Sequence, residues 1–508
     1  MMRKNEPLDL TVPHRQSPIA ILVILFEFIR RILSAFWPIL LIYILRGRTS
    51  GNNGDPVYLY IGLGISLISV VGSLISYFRY YYYVTDTDLI IEKGLFERKK
   101  ITVPFDRIQT INSEQKIIHQ LFRVVKLEID TAGSKKKEIA IDALEQEIAE
   151  QIKRFLLQKK QATQSRITSE HPAVHSYPDA EDAPKQLVLR LGITDLLKVG
   201  VSQNHIQTAL LIIGFGIGFL DDIQEIINFN VYEWIQGQVG QVNATYFIFL
   251  LLLLPLLLLV TFLITMVRTV FKFYRQTVWI AGDGIQLESG LFTRHQSFIH
   301  RQKIQWIRWT RNPIKRIFRL YGLTIRQASS QQTDEKKSNH IPGCYRDALR
   351  ILQQSAFPEG WFAAFDYSGI DPRYRSRLWL YFGILPGIGL GVLGYFQDGL
   401  PGLWFLLWIP LVWWWAGVVV RRWKIGLNDH ALYLHHGVWE LKEDFIPLYK
   451  IQAVKILQSP YQRSHHLASL TLSTASGSIS IPYLDLQQAY RLMNFLLYHV
   501  ESSHQSWM

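Results

Sequence analysis

Basic and indole side chains crowd one stretch: Arg301, Lys303, Trp306, Arg308, Trp309, Arg311, Lys315, Arg316 and Arg319. Guanidinium and ammonium groups draw phosphates, and indole rings settle where headgroups meet hydrocarbon. We expect Arg301, Trp306, Arg308, Trp309, Arg311, Lys315, Arg316 and Arg319 to contact an anionic leaflet or ligand. Each basic residue near such a surface contributes ~1 kcal/mol. The bland alternative is a solvated basic face that merely follows the excess of cations on the cytoplasmic side of membranes. Nucleic acid is the third possibility, and tethering at a membrane argues against it as a partner.

No other set of residues promises catalysis. His435-His436 and His465-His466 could in principle hold a metal. Neighbouring strand residues point to opposite faces, however, so such a pair offers one ligand. The chain carries no phosphate-binding Gly-rich loop, no nucleophile elbow and no His-Glu-x-x-His. Its one cysteine, Cys344, excludes an internal disulfide framework and a Cys-based zinc cluster. No catalytic residue, metal or cofactor is expected, and no enzymatic activity. A lipid-modifying enzyme would need acids clustered at the interface, and Glu27 stands alone in its apolar run. Gly383, Gly387 and Gly391 recur every four residues and predict a helix-packing face.

The elements that must position these residues are written three times. Gly94-Leu95-Phe96, Gly290-Leu291-Phe292 and Gly437-Val438-Trp439 are each followed by a Gln 15 residues after the Gly, namely Gln109, Gln305 and Gln452. A Leu follows 33 residues after the same Gly, namely Leu127, Leu323 and Leu470. The Gly-to-Gly separations are 196 and 147, so this is one domain used three times and not a solenoid. Each copy reads as antiparallel strands with a hairpin at the Gly, a short helical piece such as 115–122, and further strands. At least the first and third copies close on an amphipathic helix, over 143–157 and 486–500.

The opening Thr85 to Phe96, the Ile-Gln after it and the closing helix resemble bacterial pleckstrin-homology-like domains. Three copies between pairs of membrane helices resemble the YdbT-like membrane proteins of Gram-positive bacteria. The third copy departs most, with His465-His466 where the others carry Phe122-Arg123 and Phe318-Arg319. The resemblance implies three α+β domains, each an antiparallel β roll or barrel with a C-terminal helix. It supplies no catalytic residue. It also suggests a smaller membrane partner with a single such domain, joined in a hetero-complex at the cell envelope; a homo-oligomer is the other assembly.

Length and hydropathy fit a chain of 508 residues that alternates apolar runs with charged domains. We expect six spans in three hairpins: a hairpin in 1–78, the first repeat over 79–158, a linker over 159–203, a hairpin in 204–267, the second repeat over 268–357, a linker over 358–376, a hairpin in 377–420 and the third repeat over 421–508. Arg79, Arg268, Lys272, Arg275, Arg373, Arg375, Arg377, Arg421, Arg422 and Lys424 all flank the repeats, whereas 221–243 holds four acids and no Lys or Arg. Both termini and all repeats are therefore expected in the cytoplasm, with Arg46 and Arg48 dissenting. The leading functional reading is a non-enzymatic binding or assembly platform at the inner leaflet. Its rival is a transporter or channel gated by the domains, against which stands the absence of acids from four of the six expected spans.

Overall fold

A computed structural model of the protein describes residues 10–27, 29–30, 57–94, 98–131, 139–156, 185–205, 208–211, 214, 244–328, 339–362 and 364–502. The first repeat holds β1 (Tyr81–Val84), β2 (Asp88–Lys93), β3 (Lys99–Pro104), β4 (Ile108–Gln115), β5 (Val124–Thr131) and β6 (Ile139–Glu145). A short helix, Ile117–Leu121, joins β4 to β5, and a helix over 146–156 follows β6. Strand β7 (Gln186–Arg190) precedes the second repeat, which holds β8 (Thr277–Ala281), β9 (Gly284–Ser289), β10 (Arg294–His300), β11 (Ile304–Arg311), β12 (Tyr321–Gln327) and β13 (His340–Cys344). Strand β14 (Asp366–Ser368) precedes the third, which holds β15 (Lys424–Leu427), β16 (Ala431–His436), β17 (Leu441–Pro447), β18 (Ile451–Leu457), β19 (Leu467–Thr474) and β20 (Gly477–Asp485). Helices Arg346–Ala356 and Leu486–Ser502 close the second and third repeats, so all three copies end in a helix.

The repeated residues have physical reasons. Gly94, Gly290 and Gly437 adopt φ of 144°, 109° and 102° at the hairpin turn. A Cβ on Gly290 would lie 1.9 Å from the Thr293 carbonyl oxygen, and one on Gly437 2.1 Å from that of Glu440, so no side chain fits. The repeated Gln is a bulge. Strand pairing skips from Ile108 to Thr110, from Ile304 to Trp306 and from Ile451 to Ala453, leaving Gln109, Gln305 and Gln452 as the extra residue. The repeated Leu fills each core: Leu127 and Leu323 are 1% exposed and Leu470 is fully buried. Arg123, Arg319 and His466 sit at one equivalent turn with φ of 54°, 55° and 53°. The second histidine of the pair thus stands where the other repeats carry a turn arginine.

Each repeat begins before its membrane helices. His14 and Tyr82 exchange two backbone hydrogen bonds of 2.9 Å, β7 pairs with β8, and β14 pairs with β15. The stretches 159–203 and 358–376 are therefore more than linkers, since each contributes a first strand. The ladder needs that strand to satisfy the outer edge of β8 or β15. Helix Ile193–Val201 follows β7 and packs on the long helix Ala244–Lys272, where Gly200 leaves only 3.0 Å between a Cβ and Met266 Cγ.

Three helices among the described residues are long and apolar enough to cross a membrane: Pro255–Lys272, Tyr374–Phe396 and Gly402–Arg422. This is fewer than the six expected. Most of the expected first and third spans lies outside the described residues, and Val57–Phe78 forms one 22-residue helix at the place of the second. The last hairpin shows how such helices pack. A Cβ on Gly383 would meet Val412 at 3.2 Å, one on Gly387 would meet Ile409 at 2.6 Å, and one on Gly391 would meet Leu406 at 2.9 Å. The glycine face therefore serves the neighbouring span of the same hairpin. Gly402 and Gly394, a pair the four-residue spacing does not reveal, come closest, a Cβ on Gly402 lying 2.0 Å from the Gly394 carbonyl carbon.

Candidate functional site

The repeats meet edge to edge. Strand β4 of the first pairs with β10 of the second, and β11 of the second pairs with β17 of the third. Two seven-stranded sheets result, in the orders β6-β5-β4-β10-β9-β8-β7 and β13-β12-β11-β17-β16-β15-β14. The register is the same at both junctions. Gln115 faces Arg294 and Arg311 faces Leu441, and in each case the residue 21 past one turn glycine meets the residue 4 past the next. The cores interlock across the second junction. Ala431 and Phe445 of the third repeat lie in the core of the second, while Trp306 of the second lies in the core of the third.

This geometry redistributes the basic and indole set. Arg308 is half-buried and donates through Nη2 to Asp444 Oδ2 at 2.7 Å and through Nε to Oδ1. His436 Nε2 lies 3.2 Å from the same Oδ2, and the Arg308 guanidinium sits 5.0 Å from the Trp306 ring centroid. Burial alone would raise the Asp444 carboxyl, but bonding from Arg308 and His436 holds it below the usual carboxylate range. Trp309 Nε1 donates to Glu443 Oε2, which also accepts from the Tyr433 hydroxyl at 2.6 Å. Arg311 lies over the Tyr321 ring at 4.7 Å. Lys315 is 4% exposed, and burial pushes its ammonium pKa down against the opposing charge of Glu440. Arg301 donates to the Gln354 carbonyl at 3.0 Å. The eight residues therefore do not share one exposed face: Trp306, Trp309 and Lys315 are buried, Arg308 is taken up by Asp444, and Arg301, Arg316 and Arg319 are exposed. A run of charge in sequence does not reveal that its carboxylate partner lies 136 residues away.

Between the first and second repeats the contact is looser. Ser113 donates to Gln296 Oε1 at 3.1 Å, and Gln120 donates to the Leu291 and Phe292 carbonyls at 3.1 Å. Beside this contact lies a cavity of about 760 Å³ whose lining includes Lys153, Arg190, Arg275 and Arg294, with Glu150 and Glu288. Four cations to two acids is a lining suited to a small anion. Among the described residues no group of three His, Cys, Asp or Glu could hold a metal. His435 and His436 face different acids, Glu443 and Asp444, as alternating strand residues must.

The hairpin tips sit at the ends of apolar helices. Leu291 donates to the Phe271 carbonyl, Phe292 stacks edge-on against Phe271 at 4.7 Å, and Arg422 donates to the Val438 carbonyl. Phe292 and Trp439 are 46% and 62% exposed there, and on the short helices Ile117–Leu121 and Pro313–Ile317 the residues Leu121 and Ile317 reach 74% and 76%. Residues 18–160, 237–354 and 382–500 match the family model described as Bacterial PH domain. The chain belongs to the bacterial PH domain family. Each match of this bacterial PH domain chain takes in apolar sequence ahead of β1, β8 or β15, in keeping with the insertion of helices within each repeat. The chain is 25% identical over 329 residues to the UPF0699 transmembrane protein YdbT of Bacillus subtilis (strain 168), covering 64% of each. It is 28% identical over 72 residues to the UPF0699 transmembrane protein YdbS of the same organism, covering 14% of this chain and 45% of that relative. Less than two thirds of either relative's length is thus spanned. The relatives and the apolar helices make this a membrane protein.

Proposed function

We propose that this bacterial PH domain protein is a non-enzymatic, six-span membrane protein whose three repeats form a cytoplasmic platform for binding and assembly. The observation that carries the reading is the junction between repeats: PH-like domains here bind one another strand to strand, twice, in one register. Domains that recognise their own kind through sheet edges suit assembly with another PH-like membrane protein. The exposed Phe292, Trp439, Leu121 and Ile317, with Arg316 and Arg319 beside Ile317, support contact with an anionic leaflet at the helix ends. The test is purification of tagged chain from native membranes in mild detergent. A stable complex with a second PH-like chain is expected, and a lone monomer with no co-purifying membrane protein overturns the reading.

A further inference from the structure

Among the described residues, two strands lack the neighbour that their counterparts possess. In the first junction β4 takes β10, and in the second β11 takes β17. The third counterpart of β4 and β11 is β18, which ends a three-stranded sheet of order β18-β19-β20. The first counterpart of β10 and β17 is β3, which ends the sheet β1-β2-β3. Among the described residues neither edge carries a further strand, whereas the edges β6, β13 and β20 are terminal in every repeat and so belong to the domain itself. The third repeat thus carries one half of a junction and the first repeat the other half.

We propose that β18 of one copy pairs antiparallel with β3 of a second copy, continuing the row of repeats from chain to chain. Resting on the assembly reading above, this names the surface and the partner. The register follows from the two junctions already made. His295 faces Glu114 and Lys442 faces Thr310, so the residue 20 past one turn glycine meets the residue 5 past the next. The same rule sets Leu457 opposite Lys99 and Ile456 opposite Lys100. Leu457 is 56% exposed, and Lys99 and Lys100 are exposed as well. The aliphatic stems of the two lysines cover the apolar side chains while their ammonium groups stay in water. Lysines on an open edge also deter indiscriminate pairing, which leaves the edge to a partner of matching register. The contact is head-to-tail, so copies close into a ring or extend as a row.

Paired cysteines test this in the full chain in its own membrane. Directly opposed Cα atoms in an antiparallel pair lie ~4.5–5.5 Å apart, within disulfide reach. The native Cys344 is buried, its thiol pushed up to about 12 by burial, and adds little background. Two differently tagged chains, one carrying Leu457→Cys and the other Lys99→Cys, are co-expressed and treated with a mild copper oxidant. A disulfide joining the two tags is expected, about ten-fold more abundant than with Thr102→Cys, which points to the other face and lies off register. Equal yields from the two pairs, or monomer alone, overturn the proposal. If the detergent complex persists while no disulfide joins the two tags, the second copy is the wrong occupant and the platform reading stands.

Discussion

Asp444 is a fully buried carboxylate held by Arg308 and His436 across two repeats. Removing one member of such a group strands the other. Asp444→Asn should destabilise the chain by ~3–5 kcal/mol, read as a lowered melting temperature in detergent, while Arg308→Met with Asp444→Leu should recover most of it. Because the folded carboxyl is more acidic than the unfolded one, its contribution is complete above ~3.9 and is lost only as pH falls below that. His119 behaves in another window. Burial, with Lys116 adding and Glu27 opposing, pushes it down to about 4, and His340 falls by burial to about 3. Each is neutral when folded, so its contribution is complete above ~6.5 and is lost as pH falls through that value toward the folded one. The melting temperature should therefore drop between pH 6.5 and 4, and His119→Leu should flatten part of that slope. An unchanged slope would show that the ring is not held neutral.

At the scale of elements, indole groups tie the two helices of the last hairpin to each other's backbone, Trp379 Nε1 donating to the Ile409 carbonyl at 3.0 Å. A π-helical turn at Trp379–Ile384 runs into Pro386, which has no N–H for the Phe382 carbonyl four residues before it. Trp408 Nε1 donates to that carbonyl at 2.7 Å. In hydrocarbon a stranded carbonyl has no water to turn to, so Trp408→Phe should cost ~1–3 kcal/mol in hairpin stability. Gly402→Ala should cost ~1–3 kcal/mol by forcing the backbones apart, while Gly389→Ala, with open space around it, should be neutral or slightly stabilising. Protease resistance in detergent ranks the three. The repeat was readable from sequence because Gly, Gln and Leu at fixed offsets each answer a local demand: a turn, a bulge, a core position. The glycine face was readable for the same reason. The junctions were not, because any two strand edges can pair and nothing local to β11 announces β17. Nor does Trp306 declare that it belongs to a neighbouring core.

For the whole molecule, reporter fusions after Lys160, Phe357 and Met508 should report cytoplasm, and one within 228–240 the exterior. An exterior signal at Met508 would break the shared side on which the three repeats can touch. The placement of the membrane helices between a repeat's first two paired strands has a further consequence, for synthesis. Leu187 must wait for Trp279, Asp366 for Leu427 and His14 for Tyr82 before a first sheet can zip. At roughly 5–20 residues per second, the ribosome needs several seconds to cover the interval in the second repeat. On the proposed six-span topology, each domain stays open until its hairpin is made and both ends emerge on the same side. Strand pairing would then report that the preceding helices went in and came back.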